Sequence, residues 1–312
     1  MLFSCEDNGK DEKKPSDVSF SGTAVHDLFL SDEGEIWAGT GNGLYIFQNN
    51  LWYDYTPELG SVQVNDIAKY KGYYWIATNK GLLKVKRMGM NLEIVATHDP
   101  GNTCMNSEIV NVLGISPKDE LWVGTSEGVC YYTGDEWKND LNVAILRKNI
   151  SSFTFGPEEY YIGTFGDYLY HYYVQDIDGK SGASYLIPPF NGDLSTDTVF
   201  SCLLDSEGAL WFGSTKGLTK NSIDTHVIAG SFDYFLKNQK VFSLAISGGR
   251  EIIAGTNKGL NMYNGTEWTG YTSMDGLPGD SVISLLNDLN GDTWIGTNKG
   301  LARLNGSGIS VY

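Results

Sequence analysis

The chain has 312 residues, 41% of them hydrophobic and 13% aromatic, with 38 Gly, 8 Pro and a formal net charge of −16. It is long enough to bury a sizeable core, and Gly at about one residue in eight implies many tight turns. The acidic balance argues against nucleic acid as a partner, because phosphate binding needs clustered Lys and Arg, and no apolar run approaches the roughly 18 residues of a membrane-spanning helix.

From the start, residues 1–19 read as a short apolar beginning, then Cys5, then a charged, Pro-containing stretch with nothing to bury. Leu2-Phe3-Ser4-Cys5 resembles a bacterial lipobox, with Leu three before the Cys and a small residue just before it. On that reading Met1 is not the true start, Cys5 carries a lipid that anchors the chain to the outer membrane, and residues 6–19 are a flexible tether. Cys104, Cys130 and Cys202 show no metal-ligand spacing. They are read as neither a zinc site nor a disulfide framework, with Cys130 and Cys202 as small core residues.

From residue 20 onward one phrase recurs. "WAGTGNGL" begins at Trp37, "WIATNKGL" at Trp75, "WVGTSEGV" at Trp122, "YIGTFGDYL" at Tyr161, "WFGSTKGL" at Trp211, "IAGTNKGL" at Ile253 and "WIGTNKGL" at Trp294. Its small residue falls at Gly39, Ala77, Gly124, Gly163, Gly213, Gly255 and Gly296, with spacings of 38 to 50 residues. Ahead of each copy lies a short apolar run such as "VNDIAKY" or "VFSLAI", followed by turn chemistry such as "SDEGE" or "LNGDT". After it comes another strand and often a fourth ending in Tyr, as in "LWYDY", "EWTGY" and "GISVY".

Each unit therefore predicts four short β-strands and no helix. Period-2 alternation puts Trp294 and Gly296 on one sheet face, with Ile295 and Thr297 on the other. Asn298-Lys299-Gly300 is read as a three-residue turn that ends in a left-handed Gly. One such sheet cannot bury both faces, whereas a closed ring of them can. The predicted fold is all-β: a seven-bladed β-propeller of four-stranded antiparallel blades over residues 20–312. Two ways of closing the ring stay open. "DVSFSG" at Asp17 adds an outer strand to the last blade, or "GISVY" is that blade's own fourth strand.

Repeats of the form "LWVGTSEGV" and "DTWIGTNKGL", preceded by a D-x-x-G turn, resemble two-component regulator propeller repeats. The resemblance covers essentially residues 20–312. It implies kinship with extracellular sensor regions of bacterial hybrid histidine kinases that respond to carbohydrate. Those typically carry two propellers, a β-sandwich, a membrane span and a kinase. This chain reads as a stand-alone, one-propeller relative in the periplasm or at the cell surface.

Propeller geometry places the binding face at the end of the channel where the inner strands begin. The expected ligand-binding residues are His26, Gln63, Asn65, Asp66, Glu108, Asn111, Asp197, Lys240 and Asp280, whose amides and carboxylates suit sugar hydroxyls. Phe165 and Tyr168 add aromatic surface for a sugar ring. Lys80, Lys216, Lys258 and Lys299 share one turn slot, either as good turn chemistry or as a cationic ring around the mouth. No cofactor, metal or catalytic residue is expected: Gly124-Thr125-Ser126-Glu127-Gly128 matches a hydrolase elbow only because the phrase does, and Asp176-Ile177-Asp178 lacks most ligands of a calcium loop. The expected function is a non-catalytic extracytoplasmic module that binds or senses an oligosaccharide. The alternatives are a scaffold that holds a protein partner and, behind it, a propeller lyase or hydrolase.

Overall fold

The computed structural model describes residues 13–139, 145, 147–166, 169–173, 184–187, 198–222, 231–248 and 250–312. Its strands form seven four-stranded antiparallel sheets. The innermost strands of blades 1 to 7 are Val25–Leu30, Val64–Tyr70, Val110–Ile115, Ile150–Phe155, Val199–Leu204, Val241–Ile246 and Val282–Asn287. The phrase is the second strand of every blade, as at Thr293–Thr297, and in all seven blades its first four residues and the one before them are buried.

The alternation in the phrase is the glue between blades. Trp37 packs toward blade 2 with Val64, Ile67 and Tyr74, while its neighbour Ala38 packs backward with Trp294 and Leu301 of blade 7. The core is accordingly split into seven clusters, one at each seam. The small residue lets the next blade approach: a Cβ on Gly296 would lie 2.9 Å from Val25 O, and one on Gly213 would lie 2.6 Å from Val241 O. Neither position tolerates a side chain without moving backbone.

A polar device fixes the same residues. The indole N–H of Trp37 donates to Glu35 at 3.0 Å, Trp122 to Glu120 at 3.0 Å, Trp211 to Asp205 at 2.8 Å and Trp294 to Asp288 at 3.0 Å. Tyr161 makes the equivalent bond to Glu159 at 2.7 Å. The carboxylate comes either from two residues before the aromatic ring or from six before it, and both spacings reach the same donor.

Several expectations need correction. The turn has two residues, because Gly300 already pairs with Thr297. Thr297 Oγ1 donates to Gly300 O and accepts from Lys299 N, which closes the hairpin early. Among the described residues, one short helix, Thr56–Leu59, and one 3-10 turn, Ser273–Asp275, occur in the loops entering blades 2 and 7. Cys104 and Cys130 are joined in a disulfide that ties the loop entering blade 3 to that blade's third strand. Cys202 is a buried free thiol, with its pKa pushed up to about 12 by burial.

Ring closure follows one of the two routes left open. Gly308–Val311 is blade 7's own fourth strand, and blade 1 likewise has its own four. The join is made by packing, where Trp294 and Tyr312 of blade 7 meet Phe47 and Trp52 of blade 1 at centroid distances of 5.2 to 6.1 Å. Residues 13–22 lie across this join. Ser16 N donates to Trp52 O, Gly22 N donates to Lys299 O, and Phe20 is buried against Tyr45 and Trp52. The boundary drawn after residue 19 falls inside this packed stretch.

Candidate functional site

Each inner strand begins with a buried Val or Ile, and the backbone bulges just after it. The bulge turns the following residue toward the channel, and a bulge commonly re-aims a side chain in this way. That position holds His26, Asn65, Asn111 and Ser151 in blades 1 to 4, then Phe200, Phe242 and Ile283 in blades 5 to 7. All of them are half-buried. The mouth is thus polar on one side and apolar on the other.

The expected polar residues are brought to this end, but several are occupied by the fold. Asn65 Nδ2 donates to Val110 O of blade 3 at 2.7 Å, and Asn111 Nδ2 donates to Ile150 O of blade 4 at 2.8 Å. Ser151 continues the series by donating to Val199 O of blade 5. These side chains cross the seams as struts, each holding the carbonyl that opens the next blade. Gln63 Nε2 donates to Asn65 Oδ1 at 2.7 Å, and Asn149 Oδ1 accepts from Asn111 at 2.8 Å. Burial lowers the His26 pKa, so the ring is neutral at pH 7.

Asp66 faces the seam. Its Oδ2 accepts from Leu113 N at 2.6 Å and its Oδ1 from Ile67 N at 2.8 Å. It also lies beside Asp27, the equivalent residue of blade 1. Two carboxyl groups in contact out of water cannot both ionise cheaply. Burial, then the neighbouring carboxylate, pushes Asp66 well above the usual aspartate range, and burial raises Asp27 to about 6. Asp27 Oδ2 is shielded from solvent and has no hydrogen-bond partner. Sequence reasoning passed over Asp27, although it occupies the same place in its blade as Asp66.

Glu108, Lys240 and Asp280 are exposed in the loops leading to the mouth. Asp280 Oδ1 accepts from Ser273 N at 2.7 Å, and Lys240 N donates to Asn257 Oδ1 at 2.8 Å. Lys80, Lys258 and Lys299 are exposed at their turns, while Lys216 is half-buried. Phe165 is 42% exposed, with its ring 6.2 Å from Phe200, which in turn lies 5.0 Å from Phe242. Sequence reasoning missed Phe200 and Phe242. Aligning the seven inner strands on their opening Val or Ile and reading the next residue would have found them. Cys5, Tyr168 and Asp197, together with Asp176 and Asp178, lie outside the described residues. Among the described residues, no group of three His, Cys, Asp or Glu side chains is arranged to hold a metal ion. Among them too, no helix is long and apolar enough to cross a membrane.

No family model and no curated protein matches the chain. Solved structures do. The extracellular domain of the hybrid two component system BT4673 from B. thetaiotaomicron superposes with a TM-score of 0.72 at 19% identity, over 97% of this chain and 39% of that one. PorZ, a surface component of the type-IX secretion system of Porphyromonas gingivalis, gives 0.71 at 14% identity, over 96% of this chain and 48% of that one. Virginiamycin B lyase from Staphylococcus aureus gives 0.67 at 11% identity, over 93% and 97%. At these identities the likeness is one of fold, and the chain spans less than half the length of the first two.

Proposed function

We propose that this chain is a non-catalytic, extracytoplasmic binding module that takes a carbohydrate at the mouth of its channel. The observation that carries the reading is the composition of that mouth: hydrogen-bonding groups on blades 1 to 4, and on blades 4 to 6 an aromatic surface of one exposed and two half-buried rings. Rigid scaffolds with a few placed polar groups and an apolar wall are where small ligands bind. The Cys104–Cys130 disulfide supports an oxidising compartment, since such bonds are rare in reducing cytosol. The extracellular domain of BT4673 has the same fold, which agrees with that address. Anchoring through a lipid on Cys5 belongs to the same proposal, and incorporation of labelled palmitate into the chain but not into Cys5→Ala tests it.

Binding rather than chemistry is supported by the use of the polar groups as struts. In the carboxyl pair of Asp27 and Asp66, Asp66 is held into a seam by backbone N–H groups. Thermal unfolding against neutral and acidic oligosaccharides, with and without calcium, tests the proposal. A ligand that binds only the folded ring stabilises it by about 2.7 kcal/mol at a hundredfold excess over Kd. A clear upward shift with one sugar class is the expected result, and a flat panel refutes it.

A scaffold role has one observation in its favour. The outer strand of blade 2, Asn91–His98, is eight residues long and exposes Ile94 and Val95 on an open sheet edge. Such an edge is a template for strand addition by a partner. Co-purification of a protein partner that is lost on Val95→Lys would favour this reading.

A further inference from the structure

Phe165, Phe200 and Phe242 belong to none of the seven seam clusters that make up the core. They pack on one another edge to face, at 72° between Phe165 and Phe200 and 68° between Phe200 and Phe242. Together they form an arc along blades 4 to 6 at the channel mouth. The fold gains little by placing the rings of Phe200 and Phe242 there, because each could be replaced by a strut of the kind that Asn65, Asn111 and Ser151 provide, and Phe165 adds a third, more exposed ring beside them. A contiguous aromatic surface held at a concave, partly solvated position marks a contact site.

We propose that this arc is the aromatic platform of the site, and that the ligand is a neutral pyranose oligosaccharide with a C–H face on Phe165 and its edge against Phe200 and Phe242. This rests on the reading of the mouth as a carbohydrate site. Two further observations set the ligand's chemistry. The arc spans only part of the mouth, so its ligand must be apolar on one face and polar at its edge. A pyranose with equatorial hydroxyls has that form, and its C–H groups carry the partial positive charge that suits the negative face of an aromatic ring. On the opposite side Asn111 Nδ2 gives both its N–H groups to Asn149 Oδ1 and Ile150 O, and Asn65 gives one to Val110 O. Asn111 therefore keeps only its amide oxygen for a ligand, and that acceptor fits a hydroxyl donor and not a carboxylate. The chain as a whole carries a formal net charge of −16, which also disfavours a uronic acid.

Calorimetric titration of the full chain tests the proposal, with cello-oligosaccharides and laminari-oligosaccharides as neutral probes and oligogalacturonate as the acidic one. Wild type should bind a neutral probe. Phe165→Ala and Phe200→Ala should each weaken it at least tenfold, while Phe165→Tyr, which keeps the ring, stays within about threefold. Phe165 is exposed, so its truncation leaves the fold intact, and an unchanged unfolding temperature verifies this. If a neutral sugar binds wild type and both alanine variants alike, the platform is wrong and the carbohydrate reading survives. If only oligogalacturonate binds, the platform is again wrong and the lysine-bearing turns become the site. If no sugar binds wild type, both readings fall.

Discussion

At the scale of single residues, the acidity of this chain is partly structural. Glu35, Glu120, Asp205 and Asp288 each hold a buried indole N–H, and Asp205 also accepts from Glu207 N and Ala209 N within its own turn. Glu120→Ala should cost about 1–3 kcal/mol, because it leaves Trp122 Nε1 without its acceptor and Ser116 Oγ without a partner. Glu120→Gln should cost less, since an amide oxygen still accepts. The urea midpoint followed by tryptophan fluorescence checks the order; equal losses would mean that the bond is incidental. The Asp27–Asp66 pair works in the opposite direction. Its folded-state values lie above the ordinary 3.8, so its contribution is fully present below pH 3.8 and is lost as pH rises through about 6. Wild type should therefore lose stability between pH 4.5 and 7.5 relative to Asp27→Asn, measured by unfolding temperature. Parallel pH profiles would remove the pair from the account.

At the scale of the element, the repeated phrase is one solution used in every blade. A large group reaches forward, a small one admits the next inner strand, and a Thr or Ser closes the turn. Gly213→Ala should therefore destabilise by about 1–3 kcal/mol, because the new Cβ meets Val241 O at 2.6 Å. Ala77→Gly in blade 2 should cost about 1–2 kcal/mol in denaturant unfolding, because nothing clashes there and the loss is one buried methyl plus the chain entropy of glycine. The disulfide is a second, local element. Reducing it, or Cys104→Ser with Cys130→Ser, should cost about 3 kcal/mol for a separation of 26 residues. The strands were legible because the phrase recurs with period-2 alternation and turn residues at both ends. The disulfide was not. Cys104 lies in an irregular loop and Cys130 in a strand, and only the folded chain shows that the loop returns to that strand. The two-residue turn was also hidden, since pairing of Gly300 with Thr297 depends on the threonine hydroxyl closing the loop early.

At the scale of the whole molecule, ring closure and the mouth were legible to different degrees. "GISVY" was readable as a fourth strand, yet the sequence did not reveal that an aromatic cluster around Trp294, Tyr312, Phe47 and Trp52 makes the join with residues 13–22 laid across it. The polar residues expected at the mouth were read from the opening of each inner strand, which is recognisable, while Phe200 and Phe242 at the same positions were passed over. The roles of the polar residues were not legible: an Asn that serves as a strut and an Asn free to bind a sugar look the same in sequence. The division of the mouth into a polar and an aromatic side emerges only when the seven bulges are compared around the ring. The central claim is that this ring holds a sugar without altering it. Equilibrium dialysis of the purified chain against mixed neutral oligosaccharides, followed by mass analysis of the retained and free sugars, tests it most directly. One size or linkage class should be enriched with the chain and every mass should be unchanged. No enrichment, or shortened and unsaturated products, would contradict the account.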